Sequence, residues 1–480
     1  MFIGRQREQD FLNNKYQSET GELVVLYGRR RIGKTETLRE FARGKEHIFY
    51  SCAECTDTQQ LHSFSERFFS KNIPAARYLT EFTGWRQALE SVKELPLPLR
   101  KEGSSGKKLL IIDEFPYMVS GNPSIPSVLQ DLWDSGLKDE NVMIILCGSS
   151  MGFMEKEVLA EKNPLYGRAT GILKMTAMTF YEAAGFFPHY SDIDKITAWA
   201  ILGGIPHYLK QFDSKKTIGE NIKENILSRG SILYSEIEFL MRQELRETAT
   251  YNTIIEAVAL GNTKLNDIYT KTGIEKNKLA VYLKNLVDLE IIRREFSVSD
   301  GSGTRSNVQR GLYRIADPFF RFWFAFVFPN MSELEAGDAA GIYRHAVAPA
   351  LDEYVSRAFE DLCREYLRKL NQEDRLPFHF TQIGCWWDKK DELDIMAIGK
   401  AADTNGEQSV FSIILGECKY RRTAPFDLSD LKKAMAKNQF KGNPVWFFFS
   451  RSGFTAEVQR LARSPDADIR LVMPEDIVKG

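Results

Sequence analysis

The feature that most constrains this chain is a glycine-rich segment between an apolar run and a helical pattern. The run Glu22–Gly28 reads ELVVLYG, GRRRIGKT follows from Gly28 to Thr35, and a helical pattern continues to Ala42. The spacing G-x-x-x-x-G-K-[ST] in a strand–loop–helix context is that of a P-loop, whose backbone amides face phosphate groups. We therefore predict that ATP binds here, and the predicted loop residues are Gly28, Arg29, Arg30, Arg31, Ile32, Gly33, Lys34 and Thr35.

Two further apolar runs indicate the sheet to which this loop belongs. KKLLIIDEF spans Lys107–Phe115 and NVMIILCGSS spans Asn141–Ser150, with helix-like stretches between them. Continuous apolar strands that alternate with helices predict an α/β fold with a doubly wound parallel sheet.

Acidic residues at the end of the second run predict the rest of a nucleotide site. Asp113 and Thr35 would hold Mg²⁺, and Glu114 would polarise the attacking water. The alternative is a P-loop that binds nucleotide without hydrolysing it.

Two further positions are candidates for contacts with the γ-phosphate. Ser149 or Ser150 would lie beside the γ-phosphate as a sensor, or be a polar strand end. Arg168 is a candidate arginine finger, with a surface ion pair as the alternative.

Beyond about residue 176 the pattern becomes helical, and a compact motif of another kind follows. Three predicted helices, Tyr251–Leu260, Lys264–Thr270 and Lys276–Leu289, precede a strand and a hairpin, which is the winged-helix order. Its third helix carries Lys276, Lys278 and Lys284. The hairpin, with its tip predicted at 299–306, adds Arg293, Arg294 and Arg305. This moderately basic surface allows phosphate contacts, so DNA binding and intramolecular packing both remain open. The aromatic run Asp317–Phe328 must be buried, and residues 329–340 are the predicted linker.

Length and composition limit the class of protein. A chain of 480 residues with 43% apolar and 27% charged residues is expected to form several globular domains. The net charge of -1 gives no global field that would attract nucleic acid. No apolar run approaches the roughly 20 residues of a membrane span, so we expect a cytoplasmic protein with no membrane partner. Cys52 and Cys55 form one C-x-x-C without a second ligand pair, which favours structural thiols over a metal or redox site.

Six segments in order resemble the archaeal-type ATPases, a branch of AAA+-like proteins related to the STAND signalling NTPases. These segments are Gly4-Arg5, LYGRRRIGKT, LLIIDEFPYM, LCGSSMGFM, PLYGRATG and GGIPHYL. The resemblance implies an ATPase core with a helical lid and a winged helix. It also implies that Pro206 contacts bound nucleotide.

The C-terminal part carries a second group of charged residues on apolar strands. Asp394 lies in ELDIMAIG, and Glu417 and Lys419 lie two residues apart in SIILGECKY, hence on one face of a strand. If the strands are neighbours, two carboxylates and one ammonium converge, and such a group can hold Mg²⁺ against a phosphate. The alternative is a plain ion pair. The pattern resembles the PD-(D/E)XK nucleases, or restriction-endonuclease-like domains, which implies Glu360 as an additional metal ligand. The domain also resembles an uncharacterised domain that often follows this ATPase type.

Two functions remain open at this point. The first is an ATP- and Mg²⁺-dependent ATPase coupled to DNA binding and cleavage. The second is an ATP-dependent switch whose inactive nuclease-like domain binds a protein partner, or which self-associates. The predicted domains are 1–175 (ATPase core), 176–245 (lid), 246–328 (winged helix) and 329–480 (nuclease-like).

Overall fold

The computed structural model describes residues 2–71, 79–95, 106–298, 311–400, 411–440, 443–464 and 467–480. The chain divides into two compact units. Unit 1 comprises Met1–Met178 with Ile205–His207, and unit 2 comprises Thr179–Gly204 with Tyr208–Gly480.

Unit 1 is built on a five-stranded parallel sheet with the strand order β2-β3-β4-β1-β5. The strands are β1 (Glu22–Tyr27), β2 (His47–Ser51), β3 (Lys108–Asp113), β4 (Val142–Gly148) and β5 (Gly171–Lys174). β1 and β4 are buried along their whole length, as expected for parallel strands covered on both faces. The predicted α/β class and parallel sheet are confirmed. The edge strands β2 and β5 were not predicted, because their burial alternates and their apolar runs are short.

Helices surround this sheet. They are α1 (Gln6–Gln17), α2 (Lys34–Ala42), α3 (Asp57–Phe69), α4 (Trp85–Glu90), α5 (Phe115–Gly121), α6 (Ile125–Asp134) and α7 (Met151–Phe153). An extensive core links the sheet to these helices, and its aromatic part includes Phe64, Phe68 and Trp85.

Unit 2 begins with helices and continues with a three-helix module. The first set is α8 (Phe180–Ala184), α9 (Asp192–Leu202), α11 (Ile218–Ile222) and α12 (Ile232–Glu244). The short helix α10 (Pro206–Leu209) begins in unit 1 and ends in unit 2. The module consists of α13 (Thr248–Ala259), α14 (Leu265–Thr272), α15 (Lys276–Asp288) and the antiparallel strands β6 (Ile292–Glu295) and β7 (Leu312–Ile315). The predicted hairpin tip, 299–306 with Arg305, lies outside the described residues.

The aromatic segment after the module is buried, as predicted. It forms α16 (Pro318–Phe322) and a π-helical turn, Trp323–Val327, in which Trp323 is only 1% exposed. The prediction of a linker at 329–340 is wrong. The segment contains α17 (Met331–Glu335) and the start of α18 (Ala339–Ile342), because Leu334 is buried and the Asp338 side chain caps α18 through the N–H of Gly341.

The C-terminal part of unit 2 is a second five-stranded sheet with helices on both faces. Its helices are α19 (Ala348–Gln372), α20 (Leu428–Ala436), α21 (Ala456–Ala462) and α22 (Pro474–Lys479). Its strands are β8 (Phe380–Trp387), β9 (Glu392–Lys400), β10 (Phe411–Lys419), β11 (Val445–Ser450) and β12 (Ile469–Val472). The order is β12-β11-β10-β9-β8, with β8 to β10 antiparallel and β10 to β12 parallel. α19 packs on one face and α20 with α21 on the other.

Candidate functional site

The P-loop connects β1 to α2 and turns on two glycines. A Cβ at Gly28 would lie 2.4 Å from the carbonyl oxygen of Met175, so a larger residue cannot pack this strand end so closely. Gly33 has φ +93° immediately before α2, a conformation that residues with a Cβ disfavour. The loop therefore leads directly into the N-terminus of α2, where free N–H groups and the helix dipole favour an anion.

Lys34 occupies the centre of this loop. Its side chain is buried, and Nζ donates hydrogen bonds to the carbonyl oxygens of Gly28 and Arg29, each 2.9 Å away. Burial lowers the pKa of the Lys34 ammonium, because desolvation disfavours the charged form. A positive charge is thus held inside the loop, at the position where the motif requires it for phosphates.

The strand order explains why the acids of β3 reach the loop. β4 lies between β1 and β3, and all three are parallel, so their carboxyl ends meet at one edge of the sheet. Thr35 Oγ1 donates to Asp113 Oδ2 at 2.7 Å. A hydroxyl and a carboxylate this close form a pair of hard oxygen donors, which suits Mg²⁺.

Glu114 is set beside this pair by an unusual backbone. It has φ +54°, a left-handed conformation at the start of α5. Its Oε2 accepts a hydrogen bond from Ser149 Oγ at 2.8 Å and from the Ser149 N–H at 3.4 Å. The residue therefore stores backbone strain of about 1–3 kcal/mol to hold its carboxylate at the end of β4. Of the two serines considered from sequence, Ser149 is the one that contacts Glu114.

The C-terminal sheet brings together the second group of charged residues. The register pairs Gly416 with Ile395, so Asp394 on β9 adjoins Glu417 on β10, and Asp394 Oδ2 accepts from the Cys418 N–H at 2.8 Å. Lys419 Nζ lies 2.7 Å from Glu417 Oε1. The convergence expected if these strands are neighbours is therefore present.

A residue not predicted from sequence completes this group. Lys437, which follows the last turn of α20, places Nζ 2.9 Å from Glu417 Oε2. The buried Glu417 carboxylate is thus held by two ammonium groups, one on each oxygen. The sequence places Lys437 in a basic segment but gives no sign that it faces Glu417.

Burial and mutual repulsion shift the pKa values of the acids. Burial, and then the Glu417 charge, raises the pKa of Asp394 to about 6. Burial, and then the Asp394 charge, raises the pKa of Glu360 on α19 to about 8. The pKa of Lys419 is raised, because the Glu417 carboxylate outweighs the opposite effect of burial. Strongly shifted pKa values of this kind are typical of functional sites, although structural ion pairs also produce them.

Comparisons with known proteins agree with the site in unit 1. A family described as an ATPase domain predominantly from Archaea matches residues 2–212, and one described as archaeal and bacterial proteins of unknown function matches residues 323–437. The uncharacterized protein MJECL04 of Methanocaldococcus jannaschii is 34% identical over 399 residues, which is 83% of this chain and 84% of MJECL04. The chain belongs to the family of MJECL04. Its N-terminal domain is an archaeal-type P-loop ATPase domain that binds and hydrolyses ATP.

Solved structures also resemble this ATPase. The Walker-type ATPase PABY2304 of Pyrococcus abyssi is 20% identical, with 67% of this chain and 96% of that chain covered and a TM-score of 0.49. The ORC2 protein of Aeropyrum pernix, in ADPNP–ADP complexes, is 14% identical, with 70% and 96% covered and a TM-score of 0.40.

Arg5 is a residue of the ATPase domain whose structural role sequence reasoning missed. Its buried guanidinium donates to the carbonyl oxygens of Ile32 and Thr176, and to Glu8 Oε1, each at 2.8 Å. It therefore ties the P-loop to the end of β5 and to α1. The sequence signal for this residue is the Gly4-Arg5 pair, which is one of the six segments of the family resemblance but gives no sign of the contacts that Arg5 makes.

The remaining site residues predicted in the ATPase domain are Pro206, Arg168 and the side chains of the loop. Pro206 lies beside the loop, since a Cβ at Gly33 would be 3.6 Å from Pro206 Cγ. The Arg168 guanidinium forms an ion pair with Asp134 at 2.7 Å, the surface alternative considered from sequence. Within the loop, Arg29 and Ile32 are buried, Arg30 is partly buried and Arg31 is exposed.

Among the described residues, no group of three or more His, Cys, Asp or Glu side chains is placed to hold a metal ion. Cys52 and Cys55 are free thiols, as are the other four cysteines. Within the described residues, every helix is too short or too polar to span a bilayer.

Proposed function

We propose that this ATPase is coupled to DNA binding and to Mg²⁺-dependent DNA cleavage by the C-terminal domain. The observation that supports it is the convergence of Asp394, Glu417 and Lys419 through the β9–β10 register. Two carboxylates that can hold a metal ion, beside one ammonium that can offset charge on a phosphate, suit metal-dependent phosphodiester hydrolysis.

In the ATPase site we assign roles by distance from the loop. The loop amides and Lys34 hold the phosphates, and Thr35 and Asp113 hold Mg²⁺, which neutralises phosphate charge when bound. Glu114 accepts a proton from the attacking water, and Ser149 keeps its carboxylate aimed at the loop. Pro206 is assigned to contact the nucleotide. Arg168 keeps its finger role only if it leaves Asp134, so we assign it to the ion pair.

In the C-terminal site, Asp394 and Glu417 would hold Mg²⁺. Within the described residues Glu360 does not form a three-ligand group with them, so the further metal ligand that the resemblance implies is not assigned to it. The raised pKa of Asp394 supports this assignment, because buried carboxylates that repel each other are stabilised by a cation between them. Lys419 would orient water and offset charge that develops on the phosphate. Lys437 would release Glu417 when metal binds.

The three-helix module is proposed as a winged helix that contacts DNA through α15. Lys276, Lys278 and Lys284 are exposed on this helix and are available for phosphate contacts. Arg293, which was expected to add to the basic surface, instead pairs with Asp361 at 2.8 Å. DNA contact would therefore depend on the helix and not on this hairpin arginine. The lid at 176–245 and the boundaries 1–175, 246–328 and 329–480 remain part of this proposal.

A cleavage assay tests the proposal. Linear duplex, supercoiled and single-stranded DNA are incubated with the protein and Mg²⁺ or Mn²⁺, with and without ATP. We expect cleavage that Lys419→Ala abolishes, while Lys432→Ala, an exposed lysine on α20, serves as the matched control. Cleavage that survives in Lys419→Ala, or none on any DNA form, contradicts the nuclease assignment.

A second candidate is a switch in which the C-terminal domain is inactive and binds a protein partner. The observation that favours it is that both oxygens of Glu417 already pair with lysines. The module also packs on the C-terminal sheet, since the Val298 N–H donates to the Cys385 carbonyl at 2.9 Å. If the protein cleaves no form of DNA and also binds no divalent metal at the C-terminal site, this second function is supported.

A further inference from the structure

A small cavity in unit 2 carries more positive charge than its acids balance. It lies between the three-helix module, α16 and α19, and it opens beside the C-terminal charged group without being part of it. Five arginines line it: Arg293, Arg314, Arg321, Arg357 and Arg364. Three acids also line it: Glu295, Glu360 and Asp361. Even with all three acids ionised, two positive charges remain in excess.

Three of the arginines form ion pairs with acids that line the same cavity. Arg293 and Arg364 share the Asp361 carboxylate, at 2.8 and 2.5 Å. Arg314 Nε lies 2.7 Å from Glu295 Oε2, although the two are not aligned as a hydrogen bond. These pairs account for two acids and leave no acid for the remaining arginines except Glu360.

Arg321 and Arg357 provide the excess charge. Arg321 stacks its guanidinium over the Tyr354 ring at 4.4 Å, and its Nη2 donates a long hydrogen bond, 3.4 Å, to the Tyr354 carbonyl oxygen. Its buried Nε has no hydrogen-bond acceptor in the part of the chain that the structure describes. Arg357 is exposed at the rim of the cavity and forms no ion pair with any described residue. A buried donor without an acceptor is costly, so its presence in a cationic cavity favours an anionic occupant.

The size of the cavity limits that occupant. Its volume is about 50 Å³, and one water molecule needs roughly 10–15 Å³. The cavity therefore accommodates a few waters or one tetrahedral oxyanion. Planar guanidinium groups that line one cavity can match the oxygens of a phosphate, which a guanidinium binds through two parallel N–H bonds.

We propose that this cavity is a binding site for a phosphate group, with Arg321 and Arg357 as its main ligands. The group is either a free phosphate ion or the terminal phosphate of a nucleic-acid strand. Arg364 also donates to the carbonyl oxygen of Asp394 at 2.7 Å, so an occupied cavity lies one side chain away from the C-terminal charged group. The site does not require that this group cleaves DNA.

Titration calorimetry tests the proposal with the full chain in a Lys34→Ala background, which removes the main cation of the ATP site. One arm uses inorganic phosphate at low ionic strength, with chloride at the same ionic strength as the reference. The other arm compares oligonucleotides with a 5′-phosphate and a 5′-hydroxyl. Arg357→Gln and Arg321→Gln are the test variants, and Arg344→Gln, an exposed arginine of unit 2 outside the cavity, is the control.

We expect each test variant to weaken phosphate binding by roughly tenfold or more, and the control to leave it unchanged. Arg357→Gln is exposed, so it keeps the test valid if Arg321→Gln does not fold. Loss of affinity for inorganic phosphate identifies a free ion as the ligand, and loss of discrimination between 5′-phosphate and 5′-hydroxyl identifies a strand end. Equal affinities for wild type, Arg357→Gln and Arg344→Gln in both arms overturn the proposal, as does a background protein that binds neither ligand.

Discussion

Replacing Asp394 by asparagine should stabilise the protein in the absence of divalent metal. The pKa of Asp394 rises from 3.8 to about 6 on folding, mainly through burial and the Glu417 charge. A carboxyl whose pKa is raised costs stability above that pKa and not below its unfolded value. At about 1.4 kcal/mol per pH unit, the cost at neutral pH is about 3 kcal/mol. Asparagine removes the charge and keeps an oxygen that accepts from the Cys418 N–H.

The assay is thermal unfolding followed by circular dichroism, with chelator or with Mg²⁺ or Mn²⁺, across a pH series. It uses a Lys34→Ala, nucleotide-free background, so that metal at the ATP site does not contribute. In chelator, the wild type should lose stability as pH rises from about 4 to about 6, whereas Asp394→Asn should lose less. With metal, the wild type should gain about 3 kcal/mol at 100 times the dissociation constant, and Asp394→Asn should gain little.

Glu392→Gln provides the matched control, because Glu392 lies on the same strand but is exposed. Its stability should match that of the background protein in every condition. The reasoning is refuted if Asp394→Asn is no more stable than the background in chelator above pH 6 and responds to metal to the same extent. In that case Asp394 carries no buried charge, and only the switch remains.

Other predictions concern the ATPase domain and the three-helix module. Lys34→Ala should abolish tight ATP binding, measured with a fluorescent analogue, because the amides alone do not neutralise the phosphates; binding at wild-type affinity would contradict this. Glu114→Gln should keep binding and lower hydrolysis by about 10²- to 10⁴-fold in a phosphate-release assay, and an unchanged rate refutes its role as base. Arg5→Met should lower the free energy of unfolding by about 3 kcal/mol, since the buried Glu8 carboxylate and the Ile32 carbonyl lose their donor, with the exposed Arg7→Met as control. Replacing Lys276, Lys278 and Lys284 of α15 by alanine should weaken binding of all DNA sequences and flatten its salt dependence. Unchanged DNA affinity together with altered ATPase activity would instead indicate an intramolecular switch.

The parts that sequence predicted well depend on local patterns. The P-loop, the Asp113 strand and the helix α15 each carry their own periodicity or motif, so neighbouring residues are enough to place them. The two strands β9 and β10 were also predicted, and their pairing required only that adjacent strands lie side by side.

The parts that sequence missed depend on contacts between distant residues. Arg5 bonds to Thr176, 171 positions away, and no local pattern records this. Lys437 reaches Glu417 only because α20 returns across β10. The residues predicted as a linker look polar, but Leu334 is buried by the surrounding helices, and this burial comes from tertiary packing.

The two candidate sites share one physical feature, and it bears on how each responds to ligand. In each, lysine pairs with protein oxygens: Lys34 with two carbonyls of the loop, and Lys419 and Lys437 with the oxygens of Glu417. A ligand must replace these bonds, so part of its binding energy is spent in moving a lysine. At the loop, phosphates offer more negative charge than carbonyls, so the exchange favours ATP. At Glu417 a cation competes with two ammonium groups for one carboxylate, so metal gains less there, and an additional anion near these lysines would shift that balance towards the metal.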